Sequence, residues 1–162
     1  MANANQLFAQ TIPQGGWTLL YVDSQELVGE DGAGVNAIDG NPNTFWHTAW
    51  KNSDPPPPHE IWIDLGATYD IDALRYLPRQ DGGTNGTFSQ YALYVSNVPP
   101  VPPDPTSWGD PVTTGTFAAN TTEKTVYFTP TTARFVCFKE LTEINGNPWG
   151  SVAEINFLGT IQ

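Results

Sequence analysis

The stretch from residue 29 to residue 50 concentrates acids, amides, a histidine and tryptophans in a short, turn-rich segment. Within it, Asp39, Asn41 and Thr44 surround a glycine and a proline, which are residues that favour turns. Side-chain and carbonyl oxygens in such a turn can converge on one point, as a calcium ion requires. The segment therefore suits a calcium-binding loop, although by spacing alone an ordinary turn without a metal is the favoured interpretation.

Neighbouring residues suit the recognition of a sugar, which presents hydroxyls on its rim and C–H patches on its faces. Glu30 offers an acceptor, His47 a ring that donates or accepts, and Trp50 a flat apolar face. Arg79 follows a predicted strand and donates hydrogen bonds in a rigid fork, and Asn85 lies in the glycine-rich loop that follows. Together these side chains predict a carbohydrate-binding site.

Each of these residues, taken singly, also has a structural interpretation. His47 could be a hydrogen-bonded loop residue, and Trp50 could cover an edge of the core. Arg79 could simply pair with Asp81 at the surface. The prediction therefore depends on all of them occurring together, each with suitable chemistry.

Acid pairs raise the question of glycoside hydrolysis, which uses two carboxyl groups about 5 to 9.5 Å apart. Glu30 with Asp31, or Asp70 with Asp72, could be read as such a pair, but neighbouring acids are common in loops. The chain has no Gly-x-Ser-x-Gly, phosphate-loop or His-Glu-x-x-His motif. We therefore expect a non-catalytic domain.

The composition of the 162-residue chain indicates one domain, spanning residues 1–162. The formal charge of -11 repels nucleic-acid phosphates and anionic lipid head groups, so neither nucleic acid nor a membrane is expected as a partner. Eight Phe, six Trp and six Tyr favour strands and aromatic packing over helical bundles. Cys137 is the single cysteine, which excludes an internal disulfide, and we expect it to be buried.

Apolar runs of strand length recur along the chain, and only Gly34–Ile38 suits a turn of helix. The runs cover residues 17–22, 60–65, 71–77, 88–96, 111–118, 125–128, 134–141 and 151–158. They predict an all-β antiparallel β-sandwich of the jelly-roll type, with Trp17, Trp46 and Trp62 in its core. An immunoglobulin-like sandwich is the alternative, which the long loop from Asp23 to His59 disfavours.

Two segments carry a resemblance to a known family: residues 35–50, and the strand Ile61-Trp-Ile-Asp-Leu-Gly. Both resemble family 32 carbohydrate-binding modules, the bacterial branch of the discoidin-like superfamily that includes coagulation-factor C-type domains. The similarity runs from about Trp17 to Leu158. It implies a galactose-binding-domain-like sandwich, and the missing disulfide points to the microbial branch.

The resemblance implies a structural calcium site that joins distant parts of the chain. By correspondence, the ligands are the carbonyl of Asn36, the side chains of Asp39 and Asn41, both oxygens of Thr44, the carbonyl of Ala153 and the carboxylate of Glu154. Because Ala153 and Glu154 belong to the last predicted strand, the ion would tie that strand to the early loop. Protein groups use up its coordination positions, so a structural role is expected.

The resemblance also implies galactose, or a galactose-containing glycan, as the ligand. The residues that correspond to the binding site of galactose-binding members are Glu30, His47, Trp50, Arg79 and Asn85. Trp149 falls where many members carry an aromatic platform for the face of the sugar. We expect His59 to be structural, and the role of Trp108 is open.

Broader expectations concern the setting of the domain. A shallow site for one sugar binds weakly, with a dissociation constant of about 0.1 to 1 mM. We therefore expect a monomeric module tethered to the catalytic domain of a carbohydrate-active protein, secreted or at the cell surface or in the periplasm, although no targeting signal is visible. The alternatives are a module for a charged polysaccharide, where Glu30 would favour chitosan and Arg79 a pectin fragment, and a discoidin-type protein or cell-surface adhesion module.

Overall fold

A computed structural model of the protein describes residues 8–162. Within these residues the strands are β1 Gln10–Thr11, β2 Thr18–Val22, β3 Trp46–His47, β4 His59–Leu77, β5 Gln90–Ser96, β6 Thr113–Thr116, β7 Lys124–Glu140, β8 Ser151–Val152 and β9 Glu154–Ile161. Short 3₁₀ helices occupy Gln14–Gly16, Gly34–Ile38 and Pro105–Ser107. The all-β prediction is confirmed, and so is the helical turn at Gly34–Ile38.

The strands form an antiparallel sheet that curls into two facing layers, because β4 and β7 pass through both. The first half of β4 pairs with β2 and with the second half of β7, which continues to β5 and β6. The second half of β4 pairs with β9, which continues to β1, and with the first half of β7. The predicted jelly-roll sandwich of the discoidin type is therefore confirmed.

The predicted strands at 60–65 and 71–77 are one strand, as are those at 125–128 and 134–141. The prediction of separate strands was wrong because the chain bends without breaking: the pairing of β4 shifts register between Asp64 and Tyr69 and again between Ile71 and Ala73. Gly66 lies inside the first irregularity with a φ of 79°, a backbone conformation that favours glycine. Polar residues at such bends give the appearance of a loop in the sequence.

Aromatic and aliphatic side chains from both layers meet in one core. Tyr76 of β4 contacts Phe138 of β7, with ring centroids 5.5 Å apart, and also Phe88 and Phe117 at 5.1 and 5.3 Å. Trp46 is fully buried in this core, as predicted. Trp17 packs against the core but is only partly buried.

A smaller apolar cluster covers the opposite face of the layer that contains β2 and β5. Here Trp62 contacts Trp108, with ring centroids 5.2 Å apart, and Phe135 and Cys137 complete the buried group. Trp62 is fully buried, as expected, although it lies in this cluster. Trp108 is 5% exposed, so it is a packing residue and lies outside the candidate site.

Within residues 8–162, no helix has the length and apolar character needed to cross a membrane.

Candidate functional site

Three loops meet at one end of the sandwich and are joined by backbone hydrogen bonds. The short strands β3 and β8 pair through Trp46 with Val152 and His47 with Ser151, which connects the early loop to the chain before β9. The N–H of Ser151 donates to the carbonyl of Gly86, 2.8 Å away, which brings in the third loop. Gly86 has a φ of 84°, and a Cβ there would lie 2.6 Å from the nitrogen of Ser151, so this junction requires glycine.

The junction of these loops forms a shallow depression of about 320 Å³. It is lined by all the residues predicted for the sugar site: Glu30, His47, Trp50, Arg79, Asn85 and Trp149. Side chains separated by as many as 119 residues are thus brought together on one surface. Their role in sugar binding stays a prediction.

His47 presents a hydrogen-bond acceptor to this depression. The side chain is 3% exposed, and its Nδ1 lies 2.7 Å from the carbonyl oxygen of Thr48. Because a carbonyl only accepts, Nδ1 carries the proton, and Nε2 keeps its lone pair in the neutral ring. Burial lowers the pKa of His47, which favours this neutral form.

Arg79 is held rigidly, and part of its guanidinium stays available. Nε and Nη2 donate to the carboxylate of Asp81 at 2.8 and 2.5 Å, so the ion pair foreseen as the alternative is present. The guanidinium also lies over the ring of Phe45, 4.4 Å from its centroid. Hydrogen bonding to Arg79 lowers the pKa of Asp81 to about 2. Nη1 has no partner among the described residues, and its N–H groups can serve a ligand.

Trp50 is fixed from several sides although it is 38% exposed. Its indole N–H donates to Oε1 of Glu30 at 2.8 Å, and its ring lies directly against Gly29. Beneath it, the carboxylate of Glu26 accepts from the N–H groups of Val28, Gly29, Trp50 and Lys51. These backbone donors, Trp50 first, lower the pKa of Glu26 to about 2, so the buried carboxylate stays charged and joins two loop segments.

Trp149 is positioned by acids and by a buried histidine. Its indole N–H donates to Oδ1 of Asp54 at 2.6 Å. His59 is fully buried, with Nδ1 2.7 Å from a carboxylate oxygen of Asp23 and Nε2 2.6 Å from the carbonyl of Pro148. Burial opposes the charge, but these hydrogen bonds outweigh it and raise the pKa of His59. Since both partners accept, His59 is protonated at both nitrogens and holds the residue that precedes Trp149.

Asn85 is exposed and contributes to the depression through its side chain. Its backbone carbonyl accepts from the hydroxyl of Ser151 at 2.8 Å, which anchors the glycine-rich loop to β8. The side-chain amide has no hydrogen bond with the described residues, so both its donor and its acceptor face solvent.

Four of the predicted calcium ligands lie close together: Asp39, Asn41, Thr44 and Glu154. Thr44 donates its hydroxyl proton to Asp39 Oδ2 at 2.6 Å and lies 2.9 Å from the carbonyl of Asn41, whose N–H donates to Asp39 Oδ1. Asn36 is buried in the helical turn before them. Ala153 is buried between β8 and β9, and Glu154 is buried at the start of β9. No group of three or more His, Cys, Asp and Glu side chains suited to a metal occurs within residues 8–162, so this set combines two carboxylates with neutral oxygens.

Glu154 tests whether these residues fit a cation. Its Oε2 accepts from Gln14 at 2.8 Å, whereas Oε1 is buried without a partner among the described residues. Burial, followed by interaction with the carboxyl of Asp39, raises the pKa of Glu154 to about 7. Two acids facing each other with an unsatisfied oxygen suit a hard cation, and the all-oxygen donor set is of the kind that calcium prefers.

Several positioning residues were missed by the sequence reasoning. Glu26, Phe45, Asp54 and Asp23 orient the lining side chains without being part of the predicted set. Only Phe45 had a visible signal, because it lies within the motif-like segment, two residues before His47. The others are acids in loops, and such acids are too common in sequence to be distinguished.

The fold and the site together define a class of protein. A discoidin-like jelly roll carries, on loops at one end, an open depression in which fixed polar groups accompany two indole rings. This is the arrangement of a small-ligand binding domain.

Comparison with known proteins agrees with this class and identifies the family. Residues 22–155 match the family model of the F5/8 type C domain, and the chain belongs to that family. In solved structures, it resembles CpGH89CBM32-5 from Clostridium perfringens in complex with GalNAc-beta-1,3-galactose, with a TM-score of 0.78 and 32% identity over 91% of this chain and 99% of that one. It also resembles the family 32 module of NanJ from C. perfringens in complex with galactose, with a TM-score of 0.75 and 30% identity over 93% and 98% of the two chains. The resemblance to family 32 modules is therefore confirmed.

Longer proteins contain similar segments. The chain is 46% identical over 121 residues to a galactose oxidase of the fungus Gibberella zeae, covering 74% of this chain and 17% of that protein. It is 36% identical over 161 residues to a sialidase of Micromonospora viridifaciens, covering 97% of this chain and 24% of that protein. The chain thus spans less than a quarter of the length of these relatives. Since one of them is fungal, the expected bacterial origin stays a prediction.

Proposed function

We propose that this domain is a non-catalytic carbohydrate-binding module that recognises galactose or the galactose units of a glycan. The observation that carries the proposal is the convergence of His47, Arg79, Asn85, Glu30 and two indole rings on one depression. The similarity to a family 32 module that was solved with galactose supports it.

The polar groups match the hydroxyls of a hexose in complementary roles. Nε2 of His47 accepts from one hydroxyl, while Nη1 of Arg79 donates to a neighbouring hydroxyl or to the ring oxygen. The amide of Asn85 and the second carboxylate oxygen of Glu30 add a donor and acceptors at the rim. An axial hydroxyl lying between acceptor and donor would distinguish galactose from glucose.

The indole rings of Trp149 and Trp50 provide flat surfaces for the C–H faces of a sugar. Their N–H groups are already bonded to Asp54 and Glu30, so the rings are oriented before a ligand arrives. Such pre-organisation lowers the entropic cost of binding. The depression is open, however, and we expect a dissociation constant of about 0.1 to 1 mM, or about -5.5 to -4 kcal/mol.

Weak binding at one site becomes useful through attachment to another domain. We infer that this domain acts as a monomeric part of a longer, secreted or surface-exposed carbohydrate-active protein, as its similarity to a quarter or less of two enzymes suggests. Tethering raises the effective concentration of the catalytic domain at the glycan without any new contact.

Titration calorimetry tests the sugar site. Galactose should bind the wild type, glucose should bind at least tenfold more weakly, and His47→Ala and Arg79→Ala should abolish the measurable heat. Arg134→Ala is a matched control, because Arg134 also pairs bidentately with an acid, Asp64, but lies outside the depression. Wild-type heat in either site variant would remove that residue from the site, and absence of galactose binding to the wild type would refute the proposal.

The same titration distinguishes the charged alternatives. Arg79 is paired with Asp81, and Glu30 and Asp54 lie nearby, so the site carries a surplus of acids that disfavours a pectin fragment. A chitosan oligomer is the stronger competitor, and chitotriose belongs in the ligand panel for that reason.

We also propose that calcium binds Asp39, Asn41, Thr44 and Glu154 together with the carbonyls of Asn36 and Ala153. The buried, unpartnered oxygen of Glu154 beside Asp39 supports this, since a cation would satisfy the oxygen and remove the repulsion between the two acids. The ion would join the early loop to β9 and would take no part in ligand chemistry.

Thermal unfolding tests the calcium proposal. Calcium at about 100 times its dissociation constant stabilises by about 2.7 kcal/mol, so its removal by chelator should lower Tm by about 5 to 10 °C. Excess calcium should restore the transition. Glu154→Gln should lose this response, whereas Asp110→Asn, an exposed acid outside the site, should keep it. An identical Tm with chelator and with calcium would refute the proposal.

A further inference from the structure

A second depression of about 240 Å³ lies between two loops, residues 50–58 and 141–150, that also shape the first. The first loop contributes the rings of Pro56 and Pro57, and the second contributes Thr142, Glu143, Gly146, Asn147 and Pro148. Its walls are mostly apolar. None of its lining residues belongs to the predicted sugar site, the calcium site or the core.

The two depressions adjoin at one dipeptide. Trp149 lines the first depression and Pro148, its neighbour in the chain, lines the second. The hydrogen bond from Trp149 to Asp54 joins the same two loops, and Asp54 precedes Pro56 by two residues. The same pair of loops therefore shapes both depressions, which are neighbours on this surface.

The second depression has rigid walls. Glu143 is 4% exposed, and its Oε2 accepts from the N–H groups of Asn145 and Asn147 at 2.6 and 2.9 Å. The carbonyl of Pro148 is held by His59 at 2.6 Å. The loop is thus fixed by buried charged groups, as are the residues that surround the first depression.

The side chains that face the second depression suit a sugar. Proline rings offer apolar C–H surfaces on which a pyranose can pack, and Thr142 supplies a hydroxyl. Asn147 supplies an amide whose only side-chain hydrogen bond within residues 8–162 is a long one, 3.5 Å, to Glu143. A few polar groups among apolar walls are typical of ligand sites.

We propose that this second depression is a subsite for the next sugar unit of a glycan whose galactose occupies the first. The inference rests on the proposed function. The unit should be a neutral hexose such as a second galactose, because Glu143 and the neighbouring Asp54 would repel a uronic or sialic acid.

The test compares galactose with the galactobioses that differ in linkage, β1,3, β1,4 and β1,6, by titration calorimetry on the whole domain. At least one of them should bind the wild type five- to tenfold more tightly than galactose. Asn147→Ala should reduce this gain to less than about twofold without changing the affinity for galactose. Asn145→Ala is the matched control, because Asn145 makes the same backbone bond to Glu143 but does not line the depression, and it should keep the gain.

Amide chemical shifts give a second measurement that does not depend on a variant. The resonances of Gly146 and Asn147 should move with the tighter galactobiose and stay in place with galactose. If galactose binds but no galactobiose gains affinity, or if Asn147→Ala keeps the gain, the subsite is refuted while the proposed function stands. If galactose itself does not bind, the proposed function fails and the subsite with it.

Discussion

Substitution of Gly29 by alanine should weaken sugar binding without unfolding the domain, although Gly29 does not line the depression. A Cβ at this position would lie 2.5 Å from both Cη2 and Cζ2 of Trp50 and 3.2 Å from Cε2. Carbon atoms in contact prefer separations of about 3.5 to 4.0 Å. The indole ring must therefore retreat by about 1 Å.

That retreat removes more than a stacking surface. The bond from the indole N–H to Glu30 is 2.8 Å long, and an added 1 Å takes it beyond hydrogen-bonding distance. A charge-assisted hydrogen bond and an ordered ring are lost together, which should reduce the affinity about tenfold, or by about 1.4 kcal/mol. Gly29 is exposed and has no positive φ, so the backbone accepts alanine and the stability should change little.

Titration calorimetry with galactose and thermal unfolding measure the two effects separately. Gly15→Ala is the matched control: a Cβ there meets nothing within 4 Å, so both the affinity and Tm should equal those of the wild type. Galactose affinity in Gly29→Ala within twofold of the wild type would show that the position of Trp50 does not matter. A fall in Tm of more than a few degrees would show that Gly29 has a structural role instead.

Two further predictions concern the buried titratable groups His59 and Glu140, which lie close to the Trp149 loop. Because the pKa of His59 is raised, the stabilisation by its charge is complete below a pH of about 6.5 and is lost as the pH rises through the pKa of the folded state. Asp23→Asn should lower the free energy of unfolding by about 3 kcal/mol at pH 6 and flatten this pH dependence. An unchanged pH profile from urea titrations would contradict a protonated His59. Glu140 is fully buried, and this burial, together with the charges of Glu143 and Asp23, raises its pKa to about 10. Above a pH of about 4.3 the carboxyl ionises in the unfolded chain but not in the folded one, so the folded state loses stability as the pH rises. Glu140→Gln should therefore gain about 2 to 4 kcal/mol relative to the wild type between pH 4.5 and pH 7, and parallel pH profiles of the two proteins would show that the carboxyl is not neutral.

The fold class could be predicted because the strands carry strong local signals. Runs such as Ile61–Leu65 and Arg134–Leu141 are rich in β-branched and aromatic residues, and they locate the centre of one layer, in which they pair with each other. The continuity of β4 through Gly66 could not be predicted, because a bulge resembles a turn until the partner strand is known. The β3 and β8 pair was also missed, since two-residue strands have no period to detect.

The lining of the depression could be predicted from the resemblance, but not the network that positions it. A family motif identifies His47 and Arg79 because their chemistry is unusual within loops. The partners of these side chains, such as Asp81 and Asp54, depend on which loop tips meet, and only the folded chain determines that. The second depression likewise could not be predicted from the sequence, because the prolines that form its walls resemble a linker.

At this end of the sandwich, some of the many acids of the chain position the side chains that line the depression. Glu30, Asp54 and Asp81 each accept a hydrogen bond from a lining side chain and so orient a donor or a ring. Asp54 and Asp81 do this without lining the depression themselves. A charge-assisted bond is stronger than a neutral one, so these acids hold an exposed site rigid where little packing is available. Rigidity matters here because a shallow site makes few contacts, and any ordering of its side chains on binding would consume much of the free energy that those contacts provide.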